Sequence, residues 1–167
     1  MEDLDEIYRV HADGVKAFLI SLTANVDLAE ELTQETFYQA AKSIHRYNGQ
    51  CKISVWLCQI AKHTYYDFLK KERRRNDVSI DYMQKIESSS SIPHSEITNR
   101  ATLISIHKEI HLLPEPYKEV FLLRTSIDLS FKEIGEICNK SENWARVIYY
   151  RAKLKLAERM EGERDEL

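Results

Sequence analysis

Four glycines stand in a chain of 167 residues, Gly14, Gly49, Gly135 and Gly162, and no two of them are close together. An average chain carries about 7% glycine, so this one is poor in the residue that turns and close backbone approaches need. Phosphate loops of the G-x-G-x-x-G or Walker type are excluded, because each places several glycines within one turn. A fold built from many tight β-turns is disfavoured for the same reason. An all-α fold remains, and the 43% apolar content is enough to give it a core.

The apolar spacing agrees. Leu4, Ile7, Tyr8, His11, Val15, Phe18, Leu19 and Leu22 keep helical period over five turns. A second helix follows, with Asp27 as its expected cap and a stripe of Leu28, Leu32, Phe37, Ala40, Ala41 and Ile44. Residues 46–52 break the period around Gly49 and read as a loop. A third helix carries Ile53, Leu57, Ile60, Ala61, Thr64 and Phe68 and ends in the basic run Lys70 to Arg75. Residues 76–100 contain a serine run and Pro93, hold no lasting period, and read as a flexible linker. Beyond it a helix is expected from about Ile97 to Leu113, stopped by Pro114-Glu115-Pro116, and another over 116–126. Ser130 and Glu133 have capping-box spacing, so a helix should start at Ser130. After the short turn Cys138-Asn139-Lys140-Ser141, Ser141 should cap a last helix running to about Met160. Two helices joined by such a turn, the second one basic, form the pattern of a helix-turn-helix. The chain therefore divides into two small helical domains, 1–75 and 101–160, with the linker 76–100 between them and an acidic tail at 161–167.

Net charge is −3, yet charge is unevenly placed. Residues 1–35 hold two basic residues against nine acidic ones. Residues 62–75 hold six basic against two acidic, and residues 146–159 five against one. Any one basic cluster is ordinarily a solvated helix face. Two such blocks in an acidic chain point to a localised anionic partner, since Lys and Arg bind phosphate with counterion release. Cys51, Cys58 and Cys138 are an odd set without a C-x-x-C, which fits a reduced cytoplasmic protein better than a disulfide framework. The acidic N-terminus lacks the pattern of a signal peptide, and no apolar run approaches the roughly 18 residues of a membrane span, so no membrane insertion is expected.

Specific motifs narrow the reading. Residues 27–37 read DLAEELTQETF, followed by Arg46-Tyr47-Asn48-Gly49 and then Trp56-Leu57-Cys58-Gln59-Ile60-Ala61. This unit resembles region 2 of the extracytoplasmic-function sigma factors of the sigma-70 family. Leu113-Pro114, residues 120–124 (VFLLR), Leu129-Ser130, Glu133-Ile134 and Arg151-Ala152 resemble region 4 of the same family. The resemblance covers nearly the whole chain, in the family's order.

It implies a promoter-specificity subunit that binds core RNA polymerase and promoter DNA, is not itself an enzyme, uses no cofactor and no metal, and has an anti-sigma factor as a further partner. The polymerase-binding positions would be Asp27, Glu31, Gln34, Glu35 and Phe37. An acidic helix suits a basic partner surface, although the same carboxylates also favour a helix N-terminus. The minus-ten positions would be Asn48, Gly49, Gln50, Lys52, Trp56, Lys62 and His63. Reading an unstacked base needs polar groups at its edge, which Asn48 and Gln50 carry, and close backbone, which Gly49 permits. Trp56 is more often core than a stacking platform. Lys62 and Lys70 to Arg75 would meet phosphates, which position without specifying. The minus-thirty-five positions would be Ser141, Asn143, Trp144, Arg146, Val147, Tyr150 and Arg151. Arg146 suits guanine and Asn143 adenine, while Ala145, Tyr149, Ala152 and Leu156 would face inward. Trp144 and Ile148 replace the family's small polar and basic residues, and no arginine precedes Trp56. Trp144 and Ile148 are left open between DNA, a partner and the core.

Other constellations carry less. His107 and His111 have i,i+4 spacing but lack a third ligand or an H-E-x-x-H. The cysteines allow a thiol sensor, though idle reduced thiols are commoner. A stand-alone helix-turn-helix regulator is the alternative function, and it leaves residues 1–75 unaccounted for.

Overall fold

The computed structural model describes residues 3–75 and 97–165. Their α-helices are α1 (Leu4–Thr23), α2 (Val26–Ser43), α3 (Ile53–Arg74), α4 (Ile97–Leu112), α5 (Tyr117–Thr125), α6 (Phe131–Cys138) and α7 (Glu142–Asp165), with a 3-10 turn at Ile44–Arg46. The all-α expectation holds. The linker reading lies outside the described residues over 76–96, and its last four residues, 97–100, are helical. Residues 161–165 of the expected tail continue α7.

Helices α1, α2 and α3 pack together through Val15, Phe18, Leu19, Leu22, Ala29, Leu32, Val55, Leu57 and Ala61, all buried. The corner between α1 and α2 is closed by Ala24, which adopts a left-handed φ of 52° and donates its N–H to the Ile20 carbonyl. The chain then re-enters helix at once, so the cap of α2 is Asn25 and not Asp27. Asn25 is extended, and its side chain accepts from the Leu28 N–H at 3.1 Å. Asp27 sits in the first turn, where its charge still opposes the helix dipole favourably. Ala41, expected inside, is exposed, while Thr33 and Thr36 are buried. The threonines satisfy their hydroxyls on the carbonyls of Ala29 and Leu32, at 2.7 Å each, so their burial leaves no orphan donor. Leu4 and Tyr8 are also largely exposed, although the Tyr8 ring meets Phe37 edge-on at 4.8 Å.

In the second half, Val120, Leu122, Leu123, Ile134, Ile137, Ala145 and Ile148 are buried among α5, α6 and α7. Ser130 and Glu133 form the expected capping box: the Ser130 hydroxyl accepts from the Glu133 N–H at 3.1 Å, and Glu133 accepts from the Ser130 N–H at 2.8 Å. Arg159 of α7 reaches the buried Glu109 of α4 at 2.6 Å. The two halves are not separate bodies. Helix α6 packs on α3, α5 packs on α1, and one apolar cluster runs through both.

Candidate nucleic-acid and polymerase interface

The proposed polymerase face is built by the phase of α2. Leu32, Thr33, Thr36 and Ala40 turn inward, which leaves Asp27, Glu31, Gln34 and Glu35 exposed. Phe37 is half-buried against Tyr8. Glu35 also accepts from Gln39 one turn on, at 2.7 Å. Of these, Glu31 and Glu35, with Gln39, line one edge of a groove between α2 and α3 whose other wall includes Ile60, His63, Asp67 and Lys71.

The loop before α3 is ordered by local bonds. Gly49 has a φ of +73°, a left-handed backbone value that residues bearing a Cβ rarely adopt. The Asn48 side chain accepts from the Gln50 N–H at 3.1 Å, and the Tyr47 hydroxyl donates to the Cys51 carbonyl at 2.6 Å. Asn48, Gly49, Gln50 and Lys52 are all exposed. Trp56 is half-buried, with its ring 5.3 Å from that of Tyr47, so it is neither a free platform nor full core. His63 is exposed, and its Nδ1 lies 2.8 Å from the Gln59 carbonyl oxygen.

Two lysines of this surface are engaged by the second half. Lys52 reaches Glu133 of α6 at 2.8 Å, and Lys62 reaches Glu119 of α5 at 3.0 Å. The Lys52 ammonium holds the Glu133 carboxyl below its usual range, helped by the Ser130 N–H. Glu119 is almost fully buried, and burial pushes its carboxyl up against the opposing pull of Lys62. Its contact with Lys62 is an ion pair without good hydrogen-bond alignment, since Oε1 has no hydrogen-bonded partner. Gln59, which stands in the motif without an assigned role, donates its amide to the Glu136 carbonyl at 2.8 Å.

The last helix is divided lengthwise. Ala145, Ile148 and Ala152 are buried, which assigns Ile148 to the core. Ser141, Asn143, Arg146, Val147, Tyr150 and Arg151 are exposed, and Trp144 is half-buried with Lys140 over its ring. Tyr149 and Leu156 are likewise half-buried, Tyr149 lying against Phe121 and Phe131. Arg146 is held by Glu142 at 3.1 Å one turn earlier, and its guanidinium lies 5.4 Å from the centre of the Phe131 ring. The Ser141 hydroxyl accepts from the Trp144 N–H at 3.0 Å, the expected cap.

The three thiols are free, and burial pushes Cys58 and Cys138 up to about 12. Thiols so far from ionisation are poor nucleophiles at neutral pH. His107 and His111 are not joined by a third ligand: among the described residues no group of three or more His, Cys, Asp or Glu side chains could hold a metal. Nor is any described helix long and apolar enough to cross a membrane.

Comparison with known proteins fits this geometry. The sequence model of Sigma-70 region 2 matches residues 7–75, and that of Sigma-70 region 4 matches residues 103–156. The ECF RNA polymerase sigma factor SigM of Bacillus subtilis is 31% identical over 92% of both chains. The RNA polymerase sigma factor YlaC of the same organism is 24% identical over 99% of this chain and 96% of its own. Among solved structures, the sigma factor RpoE of Bartonella quintana, in complex with the anti-sigma factor NepR, superposes with a TM-score of 0.71 at 21% identity, covering 96% of this chain and 98% of that one.

Proposed function

This chain belongs to the extracytoplasmic-function sigma factors of RNA polymerase, and we propose that it divides the sigma task between its two exposed helical faces. Helix α2 docks on core polymerase through Asp27, Glu31, Gln34, Glu35 and Phe37. The loop Asn48-Gly49-Gln50 with Lys52, Trp56, Lys62 and His63 receives the separated minus-ten strand. The exposed face of α7, with Ser141, Asn143, Trp144, Arg146, Val147, Tyr150 and Arg151, enters the major groove of the minus-thirty-five element. The domains would be 1–75 and 101–160.

The observation that carries this reading is the lengthwise division of α7. Its small residues Ala145 and Ala152 are buried where α7 packs on α5 and α6, and its polar and cationic residues stand in solvent behind a capped turn. That is how a recognition helix is held off its own domain. Arg146 and Asn143 can read base edges, and Val147 can meet a thymine methyl. The chain supplies recognition, and the polymerase supplies catalysis. Two weak DNA contacts gain affinity when core polymerase fixes their spacing. Work on promoters places the protein in the cytoplasm. An anti-sigma factor is the proposed further partner; the RpoE of Bartonella quintana forms a complex with the anti-sigma factor NepR.

Run-off transcription with core polymerase on a promoter library tests this. Specific initiation that fails with Arg146→Ala or Gln34→Ala is expected. Tight operator binding without any affinity for core polymerase would instead favour a stand-alone regulator, which has no use for the region 2 match at 7–75.

A further inference from the structure

One aromatic ring ties the recognition helix to its neighbours. Phe131 is the first residue of α6, directly after the Ser130 cap, and is half-buried. The guanidinium carbon of Arg146, on α7, lies 5.4 Å from the centre of this ring, and that of Arg124, on α5, lies 4.7 Å from it. The ring is itself held in place. Tyr149 packs on it at 5.5 Å between ring centres, and Arg124 is anchored by donating to the Leu129 carbonyl at 2.9 Å. Two cations share the ring, and each brings a carboxylate: Asp128 lies 3.9 Å from Arg124, and Glu142 lies 3.1 Å from Arg146. Arg146 therefore has two holders, a ring whose face attracts a cation and a carboxylate one turn earlier on its own helix.

We propose that Phe131 and Glu142 are positioning residues of the minus-thirty-five site, which hold the Arg146 guanidinium in the pose that reads guanine without touching a base themselves. The proposal rests on the assignment of Arg146 to the minus-thirty-five element made above. An arginine on an open helix face loses rotamer freedom when it docks, and one already held in place loses less. Guanine recognition asks for two donors directed together at O6 and N7, and the guanidinium carries its donors in a rigid planar fork. The ring attracts the cation through its charge and not through one particular N–H. Glu142 accepts from Nη2 alone, so the remaining donors stay available to a base edge. Removing the ring loosens Arg146 but leaves the number of cations facing DNA unchanged. Discrimination at one base pair then falls, while the charge-driven part of binding stays.

The test uses the full chain assembled with core RNA polymerase and a duplex promoter library randomised over the minus-thirty-five element. Sequencing the bound fraction gives the base preference at each position. Arg146→Ala marks the position that Arg146 reads, by flattening the guanine preference there. Phe131→Leu keeps an apolar side chain at the start of α6 and should lower that preference about two- to fivefold, the loss expected of one exposed contact between a cation and a ring. Preferences at the other positions, the adenine assigned to Asn143 among them, should match the wild type. Phe131→Tyr keeps the ring and should restore the guanine preference. Glu142→Gln, on an exposed residue, should lower it at the same position only, while removal of the charge raises affinity for every sequence alike. A Phe131→Leu chain that kept the full preference, or lost preference equally at every position, would overturn the proposal and leave the assignment of Arg146 standing. A Phe131→Tyr chain as defective as Phe131→Leu would do the same. If Phe131→Leu did not fold, an unchanged guanine preference in Glu142→Gln would overturn it instead. Arg146→Ala without effect at any position would overturn the assignment of Arg146 to DNA, and the proposal with it.

Discussion

Gly135 of α6 packs closely on the backbone of the turn that leads to α7, and replacing it with alanine tests that packing. A Cβ built there would lie 2.8 Å from the carbonyl oxygens of both Lys140 and Ser141 and 2.9 Å from the Ser141 carbonyl carbon. Real Cβ atoms do not approach so closely, and all three obstacles are backbone, so no rotamer change relieves them. The turn cannot recede freely either. The Lys140 N–H donates to the Gly135 carbonyl at 2.7 Å, and Ser141 caps α7 through the Trp144 N–H. In an unobstructed helix the same substitution gains about 0.8–1 kcal/mol. Overpacking costs about 1–3 kcal/mol, and displacing the Ser141 cap adds about 1 kcal/mol. The net expectation for Gly135→Ala is a loss of roughly 1–3 kcal/mol.

Gly14 supplies the matched control, because it lies inside α1 with nothing within 4 Å of its would-be Cβ. Gly14→Ala should stabilise by about 0.5–1 kcal/mol. Urea unfolding of the full chain, followed by far-ultraviolet circular dichroism, compares the two. Opposite signs are expected. If Gly135→Ala were neutral or stabilising, the close approach of α6 to the turn would be wrong, and with it the placement of α7. A duplex-binding assay adds a functional arm: Gly135→Ala should weaken minus-thirty-five binding more than it weakens capture of core polymerase.

Further expectations concern single side chains. Asn25→Ala should cost about 1 kcal/mol as the loss of an N-cap, while Asp27→Ala should cost no more than about half of that; urea midpoints decide between them. Burial, with Lys118 and His107 adding to it, holds His111 at about 4 against an ordinary 6.5. The unfolded chain therefore takes up a proton that the folded chain refuses, so stability falls as pH drops from 6.5 towards 4. The ceiling is about 3 kcal/mol, and it should appear as a difference between wild type and His111→Leu measured at about pH 7.5 and about pH 4.5. Glu35→Lys should reduce core polymerase affinity about tenfold through charge reversal at an exposed docking face. Arg146→Ala should cost about 1–3 kcal/mol at one base pair and relax specificity there, read by competition between single-base variants of the minus-thirty-five site.

Much of the fold was legible because it rests on periodicity and on local chemistry. The capping box at Ser130 and Glu133, the cap at Ser141 and the buried faces of α1 and α3 follow from spacing alone. The misses share one cause, which is that helix phase depends on what the helix meets. Helix α2 starts two residues earlier than a cap at Asp27 implies, because Ala24, a residue type with no preference for the left-handed conformation, closes the preceding corner and makes Asn25 the cap. Thr33 and Thr36 look like surface residues until a helix gives their hydroxyls a carbonyl four residues back. Ile148 stood open between core and partner because alternate phases of α7 bury either it or its neighbours, and only the fit of Ala145 and Ala152 against α6 fixes the phase.

The candidate site was legible in type and not in state. Basic clusters on α3 and α7 announce an anionic partner, but charge specifies only the sign of that partner. A phosphate of DNA and the carboxylate of Glu119 are equivalent answers for Lys62 as far as the local sequence goes, and the two residues are far apart along the chain. The structure supplies the second answer. The carboxylates that meet Lys52 and Lys62 come from α6 and α5, in the other half of the chain.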